Sequence, residues 1–274
     1  MTAANSFLGR DFWDGAITMT PAAQGLHSLS DITSPFARSP LDLTVFVSCF
    51  NEEDSIIQTL ETVKEAMEVT GNSFEILVID DGSKDRSAEL VRGFMAQYFQ
   101  LNIVMRINKR NKGLAQNYFD GAFMGCGKYY RLVCGNNSEP VETMVDIFRA
   151  IGDADIIVPY YISRLRQDKW QLFYSRIADG IINMISGNRI NCYMATHVHL
   201  RYNVMRWHSD IRGYAFQMDL LCQLLALGFT CKQVPCRAVL TNDSRNRGLK
   251  KSFSFIHALL NIMLRRVSRR VNHN

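Results

Sequence analysis

Proline is scarce, 6 in 274 residues, and tryptophan scarcer still at 3. With 17 glycines the chain has none of the load that marks collagens or low-complexity sequences. Cysteine is present without a pattern. The 7 residues, at 49, 126, 134, 192, 222, 231 and 236, are odd in number and form no CxxC. That excludes a dense disulfide framework and points to a reducing compartment. Cys231 and Cys236 lack the second ligand pair that a zinc site needs. Missing too is any apolar run of the roughly 18 residues that a spanning helix requires. Arg10, Asp11 and Asp14 break the N-terminal stretch before it reaches the length of a secretion signal. A cytoplasmic location is expected.

Acid is absent from the C-terminal end. Residues 245–274 hold Arg245, Arg247, Lys250, Lys251, Arg265, Arg266, Arg269 and Arg270 with no Asp or Glu, so this end carries +8 in a chain whose net charge is +5. The remainder is slightly acidic. A nucleic-acid binder spreads or stripes its charge through the fold and interleaves aromatic platforms. Neither is present, and no nucleic-acid partner is expected. Residues 253–264 are apolar for about three helical turns and are followed by two Arg pairs. Residues 253–270 therefore suit a terminal helix docked on the core, or a basic amphipathic helix on an anionic membrane surface.

Between the termini an α/β rhythm is legible. The first forty residues read as an extension, and regular patterning starts at Leu41. Leu43–Cys49 is a β-branched apolar run of strand length, continuous enough to be covered on both faces. Asn51 is placed to cap a helix whose apolar positions are Ile56, Leu60, Val63 and Met67. Further strands are predicted at Phe74–Ile79, Leu101–Met105, Tyr129–Val133, Ile156–Val158 and Thr230–Val234. Helices are predicted between them, including Gly113–Met124, Val141–Ile151, Lys169–Ile185 and Phe216–Leu227. Strands alternating with helices imply a mostly parallel sheet flanked by helices, with ligands at the carboxyl ends of the strands. The chain divides into an extension over 1–40, an α/β domain over 41–240 and a basic tail over 241–274.

Polar residues gather at those strand ends. Ser48, Phe50, Asn51 and Glu52 follow the first strand, Asp80, Asp81, Gly82 and Ser83 the second, and Cys134-Gly135-Asn136-Asn137 the fourth. Any one of these clusters also reads as a turn or a helix cap. Taken together, Val47-Ser48-Cys49-Phe50-Asn51-Glu52-Glu53, Glu75 to Asp85 and Asn111-Lys112-Gly113-Leu114-Ala115 resemble the opening motifs of family 2 glycosyltransferases. The resemblance covers about residues 41–252. Its later part is most similar to dolichyl- or polyprenyl-phosphate sugar synthases, through Gly213-Tyr214-Ala215-Phe216-Gln217-Met218-Asp219 and Arg245-Asn246-Arg247-Gly248-Leu249-Lys250-Lys251.

The resemblance implies a GT-A fold and an enzyme that moves a sugar from a UDP- or GDP-sugar to a polyprenyl-phosphate or glycan acceptor. It implies nucleotide-sugar contacts by Ser48, Phe50, Asn51, Glu52, Asp80, Asp81, Ser83, Lys112 and Gly113. A carboxylate such as Asp80 accepts the N–H donors of uracil or guanine equally, so the donor base stays open. Asp219, in the Gln217-x-Asp219 segment, is the candidate base for a hydroxyl acceptor. Arg245 and Lys251 are candidates to meet the charge of the departing diphosphate. The family usually binds Mg²⁺ or Mn²⁺ with an Asp-x-Asp pair. Alignment on Gly127, Tyr129, Pro140 and Glu142 puts Cys134 and Asn136 there, leaving Asn136 as the metal ligand, with Glu139 three residues on. A neutral set binds hard cations less well. Three outcomes stay open: a metal completed by the diphosphate, a clamp of Arg245, Lys250 and Lys251, or a pseudoenzyme that binds nucleotide-sugar as a partner subunit. A soluble transferase to a hydroxyl acceptor is the remaining alternative.

Overall fold

A strand that is apolar on both faces must be sandwiched between helical layers, and the computed structural model shows that arrangement. It describes residues 15–30, 41–162, 169–206 and 215–236, together with Leu260 and Met263. In chain order the elements are β1 (Ala16–Met19), α1 (Pro21–Ser30), β2 (Leu41–Cys49), α2 (Ile56–Thr70), β3 (Phe74–Asp80), α3 (Ser87–Gln97), β4 (Ile103–Ile107) and α4 (Leu114–Met124). They continue with β5 (Gly127–Cys134), α5 (Val141–Arg149), β6 (Ile156–Tyr161), α6 (Lys169–Ser186), β7 (Val198–Leu200), α7 (Arg201–Arg206), α8 (Phe216–Ala226) and β8 (Cys231–Cys236).

One sheet runs β1-β4-β3-β2-β5-β7-β6-β8. Strands β2 to β5 pair in parallel, as do β6 and β8, while β1 and β7 are antiparallel to their neighbours. Successive residues of β2 divide between the faces. Val45 and Val47 join Ile76, Val78 and Met105 beneath α2, α3 and α5, whereas Phe46 joins Leu77, Ile79, Tyr118, Tyr130 and Phe216 on the side of α4 and α8. Both layers are buried, which accounts for the unbroken apolar run.

Three sequence expectations need adjustment. Residues 16–19, inside the expected extension, pair with β4 as the edge strand of the sheet. The third predicted strand lies two residues further on, at Ile103–Ile107. Asn51 does not cap α2, which begins at Ile56 with Ser55 at the cap position. Asn51 instead turns left-handed, at φ 54°, and its side chain reaches across to the next loop.

Candidate functional site

The switch point lies where β2 has β3 on one side and β5 on the other, since chain order reverses there. Three loops meet at this carboxyl edge, and short hydrogen bonds bind them together. Asp81 N–H donates to the Cys49 carbonyl and Gly135 N–H to the Ser48 carbonyl, both at 2.9 Å. Asn51 N–H donates to Ser83 Oγ at 2.9 Å, and Lys84 N–H returns a bond to Asn51 Oδ1 at 2.8 Å. Glu52 N–H donates to Ser87 Oγ, and Glu52 Oε2 accepts from Ser55 Oγ. Ser48 is half-buried and Phe50 exposed on this rim. Gly135 is required by close approach, because a β-carbon there would meet the Ser48 carbonyl oxygen at 2.6 Å.

Asp80 is fully buried at the end of β3. Its Oδ1 accepts from the N–H groups of Gly82 and Ser83 at 2.9 and 2.7 Å, the turn that carries Gly82 at φ 81°. Oδ2 is buried and has no hydrogen-bond partner among the described residues. Such a carboxylate has an acceptor to offer, and leaving it unmet costs about 1–3 kcal/mol. Beside it, burial pushes the Cys49 thiol up to about 12, with the Asp80 charge adding to the effect. That thiol stays protonated and inert.

Both oxygens of Asp81 are occupied. Oδ1 accepts from Asn108 Nδ2 and Lys112 N–H, and Oδ2 from Gly113 N–H, all between 2.8 and 2.9 Å. Asp81 thereby anchors the 108–113 loop, and Lys112 and Gly113 enter this network through their backbone. The Lys112 ammonium lies 3.7 Å from Asp120, which also holds buried Arg106 at 2.7 Å.

The loop after β5 is gripped from α2. Ser55 and Thr59 hydroxyls both donate to the Gly135 carbonyl at 2.9 Å, and Asn137 N–H donates to Thr59 Oγ1. Asn136 is half-buried, and its Oδ1 has no hydrogen-bond partner among the described residues. Glu139 is committed elsewhere. Arg131 Nη2 donates to both of its oxygens at 2.8 and 2.7 Å, and Tyr161 and Thr196 hydroxyls add to Oε1. Among the described residues no group of three or more His, Cys, Asp or Glu side chains is placed to hold a metal ion. At the Asp-x-Asp position the loop thus presents one neutral oxygen and a half-buried thiol, Cys134.

Gln217 and Asp219 lie in the first turns of α8, both buried. Gln217 faces Tyr118 and His199. Arg245, Lys251 and the 253–270 segment, apart from exposed Leu260 and Met263, lie outside the described residues. Sequence reasoning did not single out Asn108, Ser55, Thr59 or the Arg131–Glu139 pair. A charged residue inside the apolar run Tyr129–Val133 was the available signal for the last.

Residues 44–130 match Glycosyl transferase family 2. An undecaprenyl-phosphate 4-deoxy-4-formamido-L-arabinose transferase of Edwardsiella ictaluri is 29% identical over 152 residues, 55% of this chain and 46% of that protein. Its namesake in Pseudomonas paraeruginosa is 26% identical over 155 residues, 56% of this chain and 45% of that one. The chain therefore spans about half the length of the curated relatives it matches. Among solved structures, glucosyl-3-phosphoglycerate synthase of Mycobacterium tuberculosis with Mn²⁺, UDP and phosphoglyceric acid superposes at TM-score 0.59, 15% identity, over 82% of this chain and 79% of that one. A mannosyltransferase of Pyrobaculum calidifontis with GDP-Man and Mn²⁺ gives 0.59 at 13%, over 86% and 66%. At these identities the likeness is one of fold, and it is the GT-A fold. The strand-end geometry and the match agree on the same stretch: residues 44–130, which run from β2 into the first half of β5, are similar to family 2 glycosyltransferases.

Proposed function

We propose that this chain moves a sugar, with inversion, from a UDP- or GDP-sugar to a polyprenyl-phosphate or glycan acceptor at the cytoplasmic face of a membrane. The observation that carries this reading is the buried Asp80 carboxylate, one oxygen fixed by the turn and the other unmet at the switch point. It suits the N–H edge of a nucleotide base. The relatives named for undecaprenyl-phosphate support a lipid-phosphate acceptor.

In the transfer, an acceptor oxygen attacks the anomeric carbon as the bond to the diphosphate breaks, and charge builds on the leaving group. A lipid phosphate attacks as an anion and needs no base. A hydroxyl acceptor gives its proton to Asp219. The loop's neutral donor set does not fit a hard cation held by protein carboxylates, because Glu139 is spent on Arg131. Counter-charge falls to Arg245 and Lys251, with Lys250 beside them.

The missing carboxylates also favour a second reading, a subunit that binds nucleotide-sugar without turnover. Calorimetry with UDP and with GDP, with and without Mn²⁺, tests the site. Asp80→Asn keeps an oxygen for the turn and puts an amide donor where the free oxygen was. The expected loss of affinity is about tenfold to a hundredfold. Absence of binding to either nucleotide sinks the proposal. Binding without release of UDP or GDP from any sugar donor leaves the partner-subunit reading. For the membrane, co-sedimentation with anionic vesicles is expected for the full chain and lost on deleting 253–274. Equal sedimentation of the two excludes the tail as the anchor.

A further inference from the structure

A chain of buried polar bonds runs from β4 through α4 to the loop between them. Arg106 lies opposite Ile79 of β3, on the sheet face that α4 covers, and Asn108, two residues on, reaches α4 from the same side. Arg106 Nη2 donates to Asp120 Oδ2 at 2.7 Å and to Asn117 Oδ1 at 3.2 Å, so both of its hydrogens go to α4. Asn117 Oδ1 accepts a second time, from Asn108 Nδ2 at 2.8 Å, and that nitrogen gives its other hydrogen to Asp81 Oδ1 at 2.8 Å. Asp81 in turn takes the N–H groups of Lys112 and Gly113. Lys112 closes the circuit, its ammonium 3.7 Å from Asp120. Arg106, Asn108, Asn117, Asp120 and Asp81 are all buried, none more than 5% exposed.

Packing alone does not call for this chain. Apolar residues of similar size would join α4 to β4 as well, since burying charges and amides costs solvation that their bonds only offset. What polar bonds add is direction, because each fixes an angle as well as a distance. Direction matters at the loop where the chain ends. It holds Lys112 and Gly113, two of the residues expected at the nucleotide-sugar, with Lys109 and Arg110 exposed beside them. Asn117 is the junction, because its Oδ1 is the acceptor that Arg106 and Asn108 share.

We propose that Asn117 is a positioning residue for the donor: its Oδ1 ties the 108–113 loop to the buried Arg106–Asp120 pair and so sets the loop before nucleotide-sugar binds. The inference rests on the reading above, in which this loop lines the donor site. A preset backbone lowers the ordering cost of binding. Loss of the tie therefore weakens donor affinity and leaves the turnover of the bound complex close to its parental rate.

The loop carries its own reporter, since trypsin cuts after Lys109 and Arg110. Arg189, exposed on the 187–197 loop, is the reference. That loop is bonded to α6 and β8 and, among the described residues, shares no partner with the chain. Brief digestion of the full protein, resolved by peptide mass spectrometry, reads both places in one sample. In Asn117→Leu, close in volume and without an acceptor, cutting after Lys109 and Arg110 is expected to rise about fivefold or more with Arg189 unchanged, as local opening requires. Asn117→Asp keeps an oxygen for both donors, with its charge facing Arg106, and is expected to restore the parental cutting rate. By calorimetry Asn117→Leu is expected to bind UDP or GDP about tenfold more weakly than the parent, and in transfer assays donor KM rises alike while kcat stays within about twofold. Asn117→Ala repeats both arms should the Leu variant fail to fold. Unchanged cutting after Lys109 and Arg110, a parallel rise at Arg189, failure of Asp to restore the rate, parental nucleotide affinity, or a fall in kcat at constant KM would each overturn the proposal. Should the parent bind neither UDP nor GDP, the proposed function fails, and the trypsin arm still decides whether Asn117 holds the loop.

Discussion

Asp80 and Asp81 are adjacent in sequence and opposite in use. The first keeps one oxygen unmet at the switch point, while the second spends both on the 108–113 loop. Sequence placed both in the site and had no means to divide their roles, since the division depends on which way β3 turns after Asp80. The same limit applies to Glu139. From its spacing it reads as a reserve metal ligand, and only the fold brings Arg131 and Tyr161 to it. Arg131 is fully buried, and among the described residues its charge is met by the Glu139 carboxylate. Removing one partner of a buried pair leaves an uncompensated charge, so Glu139→Gln is expected to lower unfolding stability by about 3 kcal/mol. Urea denaturation checks this. A loss below about 1 kcal/mol, the range of a surface pair, would mean that water reaches the guanidinium.

Strands β2 to β5 and their helices were legible because each carries a long periodic or β-branched run. β1 and β7 were not. They are four and three residues long, too short for any periodicity, and their pairing comes from neighbours distant in sequence. The late start of α2 has a similar cause: Glu52 and Glu53 satisfy the 83–87 loop rather than a helix end. Contact between strands also sets what β5 tolerates. A β-carbon at Gly127 would strike the backbone of Leu43 and Thr44, which no side-chain movement relieves. Gly127→Ala is therefore expected to cost about 1–3 kcal/mol, the range of an overpacked core, by displacing the start of β5 from β2. A thermal midpoint equal to that of the parent would show that the two strands can part there without loss.

The molecule as a whole joins an acidic body to a tail of +8 and stores two histidines inside its sheet. The histidines give stability a definite pH dependence. Burial is the main cause that lowers His197 from 6.5 to about 4, with the Arg131 charge acting the same way, and His199 is driven well below its usual range. The groups acting on them among the described residues are Arg131, the Cys192 carbonyl and Gln217, none of them a carboxylate that would favour the charged forms. In the unfolded chain both protonate near pH 6.5, while in the fold His197 stays neutral to about pH 4 and burial holds His199 neutral well below its usual range. As pH falls from about 6.5 to 4, the unfolded state takes up protons that the native state refuses, so stability drops through that window. For His197 alone the loss is on the order of 3 kcal/mol. Urea titrations at a series of pH values across the window measure it, and His197→Gln is expected to flatten the curve while leaving the carboxylate contribution in place. Identical slopes in parent and variant would mean that the imidazole gains its proton inside the fold.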